Sequence, residues 1–115
     1  MPVDEDLLLV LKSATLGEGE PDLGEKLLKS FLVQLLELGR LPQRIICMNS
    51  GVFLTTRGSP VLEQMRRFEE AGSRIQSCGT CLEYYGRKES LEVGQAGNMR
   101  DTVEALLSYR RVLQP

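Results

Sequence analysis

The residues best able to do covalent chemistry in this chain are its three cysteines, two of which stand close together in Cys78-Gly79-Thr80-Cys81. A thiolate attacks sulfur, and a second thiol one helical turn away can attack the species that the first one forms. The spacing therefore admits thiol–disulfide exchange. It equally admits a persulfide carrier, in which one cysteine takes the outer sulfur of a donor and passes it to an acceptor thiolate while the other resolves or protects it. The motif alone does not choose between these roles. The chain contains 0 histidines, which removes the usual general base of Cys-His and Ser-His nucleophiles and the commonest nitrogen ligand for metals. Triad hydrolysis and zincin chemistry are excluded on that ground. Half a zinc site would need more soft donors, and only Cys47 remains, so zinc would have to be shared across a subunit interface. No metal and no cofactor are expected. Cys47 alternates with large aliphatics in Arg44-Ile45-Ile46-Cys47-Met48 and reads as core filling.

Composition narrows the partners. The 115 residues, 42% of them hydrophobic, suffice for one core, so a single domain over residues 1–115 is expected. A net charge of -2 spread along the chain offers no basic stripe for phosphates, and nucleic acid is not expected as a partner. The apolar stretches fall short of the roughly 20 residues that a membrane span needs, and Met1-Pro2-Val3-Asp4-Glu5-Asp6 does not resemble a secretory signal. An odd cysteine count argues against a disulfide framework. A cytoplasmic protein that does not bind membranes is the resulting expectation.

The elements that must position the thiols follow from periodicity. Leu7 to Leu11 is a continuous apolar run, the pattern of a strand covered on both faces. Asp22 with Glu25 reads as a capping pair for a helix whose face carries Leu23, Leu27, Leu28, Phe31, Leu32, Leu35, Leu36 and Leu38 as core, and Gly39 ends it. Arg44 to Met48 is a second strand, followed by a polar loop from Asn49 to Gly58. Ser59 and Pro60 are then N-cap and first residue of a helix buried through Val61, Leu62, Met65 and Phe68. Ser73 to Ser77 forms a third strand leading into Cys78. A short helix over Leu82 to Lys88, a fourth strand at Leu91 to Val93, and a loop from Gly94 to Gly97 are expected next. Asn98 caps a final helix with Met99, Val103, Leu106 and Leu107 as core positions, and Arg111 to Leu113 forms a terminal strand. Strands alternating with helices predict a three-layer α/β/α sandwich around a mostly parallel sheet.

In such sheets sites form beyond the carboxyl ends of the strands. Cys78 falls there, between a strand end and a helix start, where unpaired N–H groups favour thiolate. Gly79 permits close approach of a donor molecule, and the Thr80 hydroxyl could bond to sulfur. Asn49, Ser50 and Gly51, with Thr55, Thr56 and Arg57, form a second polar cluster on the same rim. This cluster reads either as turn chemistry or as substrate-binding donors lining the thiol pocket, with Arg57 supplying positive charge. A hydroxyl from Tyr84 or Tyr85 could reach it. Gly17-Glu18-Gly19 lacks the remaining glycines of a dinucleotide fingerprint.

Several separate segments together resemble the YedF-like branch of the DsrE/DsrF-like sulfur-relay family. They are Leu8 to Lys12 running into Ser13-Ala14-Thr15-Leu16-Gly17; Met48-Asn49-Ser50-Gly51-Val52; Ser77-Cys78-Gly79-Thr80-Cys81-Leu82-Glu83-Tyr84-Tyr85-Gly86; and Gly97-Asn98-Met99. The resemblance spans about Leu7 to Val112. It implies a five-stranded parallel sheet of order 4-3-2-1-5, assembly into homotrimers or homohexamers, and a persulfide carried on Cys78, with Cys81 matching the second cysteine of that branch. It also implies sulfur donor and acceptor proteins as partners, a TusA-like domain among them, and sulfur or selenium as the cargo. A reading of a different class stays beside it: a non-catalytic binding or assembly module whose Cys-x-x-Cys is structural or redox-regulatory.

Overall fold

The computed structural model describes residues 3–115. Strand β1 runs Val3–Leu11, with its apolar half, Leu7 to Leu11, fully buried because both faces of the central sheet are covered. Helix α1 spans Pro21–Leu38, β2 spans Leu41–Cys47, and a 3-10 helix follows at Asn49–Leu54. Helix α2 is Leu62–Glu70, β3 is Arg74–Cys78, and α3 is the short Gly79–Tyr84. After a turn of 3-10 helix at Lys88–Ser90 come β4 (Gln95–Gly97), α4 (Met99–Ser108) and β5 (Arg111–Leu113). The five strands form one parallel sheet in the order β4-β3-β2-β1-β5, the order that the resemblance implies.

Two apolar layers flank the sheet. Alternate β-residues Leu9, Leu11, Ile45, Cys47 and Ile75 pack with Leu28, Leu32, Met65 and Phe68 of α1 and α2. Leu8, Val10 and Ile46 point the other way, onto Ala105 of α4 and the flanking Met48, Tyr109 and Val112. Chain order explains the asymmetry: the steps from β1 to β4 move one way across the sheet, and right-handed crossovers keep α1 and α2 on one side. The return from β4 to β5 carries α4 across the other.

Several boundaries and faces depart from the sequence reading. Helix α1 is opened by Pro21 with Glu20 as N-cap, not by an Asp22/Glu25 capping pair, and Asp22 only accepts from the N–H of Leu23. Gly39 ends it as expected, in the left-handed conformation at φ 76°. Strand β2 begins at Leu41 because Leu41 and Pro42 pair with Val3 and Asp4 ahead of a register shift in β1, and proline is tolerated in such irregular pairing. Helix α2 starts at Leu62, not Pro60. The Ser59 hydroxyl instead accepts from the N–H of Val61, closing a turn before the helix.

The fourth strand is Gln95–Gly97 and not Leu91 to Val93. Leu91 bridges antiparallel to Thr56, and the N–H groups of Glu92 and Val93 are both spent on the carbonyl of Thr55. The short helix is Gly79–Tyr84 rather than Leu82 to Lys88. Leu23, Leu27 and Leu38 on α1, and Met99, Val103, Leu106 and Leu107 on α4, are exposed rather than core. Only one stripe of each helix reaches the sheet. Among the described residues, no helix is long and apolar enough to cross a membrane.

Candidate functional site

Three segments meet at the carboxyl end of the central strands. The first is the end of β1: the N–H of Met48 donates to the Leu11 carbonyl (3.0 Å), and the N–H of Ala14 donates to Ser50 Oγ (3.1 Å), which locks the β1 exit against the 3-10 helix. The second is that 3-10 helix. A Cβ on Gly51 would run into the Leu11 carbonyl, so only glycine lets the backbone lie this close. The third is the β3 exit, where Cys78 is the last strand residue and the N-cap of α3, with no side chain capping the first turn. Ser77 beneath it shares a buried hydroxyl pair with Thr55 at 2.6 Å, joining β3 to the 3-10 segment.

The thiols occupy different depths. Cys78 is 8% exposed yet belongs to neither apolar layer, whereas Cys47 is fully enclosed in the α1/α2 layer. Cys81 is partly exposed, one helical turn along α3, and its thiol lies close to Cys78. Its sulfur also accepts the main-chain N–H of Asn49 at 3.1 Å. Burial pushes the Cys81 thiol above its ordinary range. The Asn49 N–H opposes that rise, while the hydrogen bond to Cys78 and repulsion by a charge there add to it.

Asn49 is held in an unusual shape. Its φ of 53° lies in the left-handed region, and its side-chain Oδ1 accepts from the Tyr85 hydroxyl at 3.0 Å. The Tyr85 ring in turn rests on Phe53 with centroids 4.6 Å apart. Around the exposed side of Cys81 lies a cleft of about 390 Å³ lined by Asn49, Thr80, Cys81, Tyr84 and Tyr85. Tyr84 stands 83% exposed at its lip.

The fold matches known architecture. No family model matches the sequence, and no curated protein matches it. Among solved structures, the ychN protein from E. coli superposes with a TM-score of 0.71 at 17% identity, over 97% of this chain and 100% of that one. The protein of unknown function MTH1491 from Methanobacterium thermoautotrophicum gives 0.71 at 16% identity, over 97% and 100%. The conserved protein of unknown function BT1422 from Bacteroides thetaiotaomicron gives 0.64 at 19%, over 96% and 95%. The fold is DsrE/DsrF-like.

Within this DsrE/DsrF-like frame the sequence-derived residues separate. Cys78, Cys81, Thr80 and Asn49 come together. Gly79 lies beside them, where a Cβ would stand 3.0 Å from the Gly97 carbonyl. Ser50 and Gly51 are adjacent in the chain but engaged with the β1 exit. Thr55 and Thr56 are buried beneath the rim. Arg57 lines a different cleft with Phe53, Ser59 and Arg87, and so supplies no charge to the thiol cleft. Phe53 and Ser77 were not read as contributors. The signal for Phe53 was its place in the apolar run Val52-Phe53-Leu54 within the loop, a run that needs packing partners. Ser77 carried no signal, since a serine in a strand is unremarkable until its hydroxyl partner is known.

Proposed function

We propose that this protein is a sulfur or selenium carrier of the YedF-like branch, accepting a persulfide on Cys78 and passing it to an acceptor thiolate. The observation that supports this reading is the pair of free thiols within mutual reach at the end of β3, one of them opening on a cleft. In the carrier step the Cys78 thiolate attacks the outer sulfur of a donor persulfide. A new S–S bond forms on Cys78, and the donor leaves as its own thiolate. Donor and acceptor proteins, a TusA-like domain among them, would dock over the cleft, where exposed Tyr84 offers an aromatic contact. Copies of the chain would associate in the cytoplasm as homotrimers or homohexamers, with the exposed apolar side chains of α4 as contact surface.

Mass spectrometry after incubation with a cysteine desulfurase and free cysteine is expected to show one added sulfur on Cys78, absent in Cys78→Ser. No adduct on the unaltered protein, or an unchanged adduct in the variant, removes the carrier role. The small exposure of Cys78, 8%, favours a second reading, a non-catalytic assembly module with a structural Cys-x-x-Cys. That reading expects Cys78→Ala to keep its partners in a pull-down while sulfur transfer is nil with and without the substitution.

A further inference from the structure

The network around Cys81 is more elaborate than a protecting thiol requires. The Asn49 N–H donates to Cys81 Sγ from a left-handed backbone conformation, which asparagine takes more readily than most residues and alanine rarely does. The contact that holds Asn49 in this shape is the Tyr85 hydroxyl on Asn49 Oδ1, with the ring anchored on Phe53. Three residues from two segments thus converge to place one donor on one sulfur, and a donor placed there stabilises that sulfur most when it carries negative charge.

We propose that the site discharges its sulfur through Cys81, with Tyr85 as a positioning residue that acts through Asn49 to hold an N–H on the Cys81 thiolate. This rests on the carrier reading and adds to it a route that needs no acceptor. The Cys81 thiolate attacks Cys78 Sγ of the Cys78 persulfide. A bond forms between the two Sγ atoms, and the bond from Cys78 Sγ to the outer sulfur breaks. The outer sulfur leaves with the electron pair and keeps the persulfide proton, as hydrosulfide. The two cysteines end oxidised as a disulfide, the released sulfur is reduced, and an external dithiol returns the pair to thiols.

Among the described residues the cleft lining holds no carboxylate and no cation, and the titratable groups near Cys81 are Cys78, Tyr84 and Tyr85. Burial and the neighbouring Cys78 keep Cys81 protonated, which holds the route back near neutral pH and opens it as pH rises.

The test loads the full chain with sulfur from a desulfurase, removes the donor, and follows sulfide release and the Cys78–Cys81 disulfide between about pH 7 and 10. In parallel, the pH midpoint of iodoacetamide labelling at Cys81 is read on sulfur-free protein. Unaltered protein is expected to release its sulfide without added thiol, faster at higher pH, and Cys81→Ser to keep its sulfur until thiol is added. Tyr85→Phe should load equally but shift both midpoints upward by about one pH unit, the scale of one hydrogen bond to an anion. Asn49→Gly, free to take the left-handed turn, should stay near the unaltered midpoint, while Asn49→Ala should move with Tyr85→Phe. Sulfide release from Cys81→Ser at the unaltered rate overturns the discharge step, and unmoved midpoints in Tyr85→Phe overturn the positioning role. A chain that takes up no sulfur refutes the carrier reading and the discharge step together, and the labelling midpoints still decide the role of Tyr85.

Discussion

The three thiols show how far one residue type can be driven apart by surroundings. Cys47 is enclosed between β-sheet and helices, and burial alone pushes its thiol up to about 12 from an ordinary 9.0. Cys81 is also raised, but there the neighbouring Cys78 adds to burial while the Asn49 N–H opposes both. The buried Cys47 proton has a consequence for stability. Between pH 9.0 and about 12 the unfolded chain gives up this proton while the folded chain keeps it, so stability falls as pH rises through that window. The slope from this group is about 1.4 kcal/mol per pH unit. Urea unfolding at successive pH values should show the decline in unaltered protein and a shallower one in Cys47→Ala, the difference between the two isolating Cys47 from the lysines and tyrosines that titrate nearby.

At the scale of elements, the site depends on how closely the β1 exit and the 3-10 helix approach. Gly51 is the point of nearest contact, its missing Cβ leaving space for the Leu11 carbonyl that also holds the Met48 N–H. Gly51→Ala should force these segments apart, at a cost of about 1–3 kcal/mol for overpacking a tight site. A lowered melting temperature, together with a raised Cys81 labelling midpoint as Asn49 is displaced, is the expected signature; an unchanged melting temperature would show that the corner relaxes freely. The β4 region carries a related lesson. Val93 is buried and Leu91 partly so, and both look like strand residues, yet their apolar side chains record core packing while their backbones serve the Thr55/Thr56 corner. The strand itself is polar and lies at the sheet edge, where exposure removes the alternation that would mark it.

On the scale of the whole molecule, the two sheet faces are unequally covered. Helices α1 and α2 share one face, while the 10-residue α4 serves the other and turns Met99, Val103, Leu106 and Leu107 outward, the last 82% exposed. A contiguous apolar helix face of this kind is normally covered by a partner. If copies of this chain provide that cover, unaltered protein sediments as a trimer or hexamer, and Leu107→Glu shifts it toward monomer without loss of helical circular dichroism. A monomeric unaltered chain under the same conditions would reject α4 as a homo-oligomer surface. Burying a charge at such an interface without a partner is costly enough to dissociate it.

Local sequence sufficed for what depends on near neighbours in the chain. The apolar run of β1, the amphipathic α1 closed by Gly39, the Asn98 cap on α4, whose side chain accepts from the Asp101 N–H at 2.8 Å, and the placement of Cys78 at a strand end all follow from period and turn chemistry. The resemblance carried the sheet order, because topology was read from matching segments and not from any one of them. Tertiary structure alone decided which leucines of α1 and α4 face the sheet, that Arg57 turns away from the thiols, and that Asn49, Tyr85 and Phe53 converge on Cys81. Each of these rests on contacts between residues far apart in sequence, and a contact of that kind leaves no local pattern to read, because either partner is an ordinary residue until the fold supplies the other.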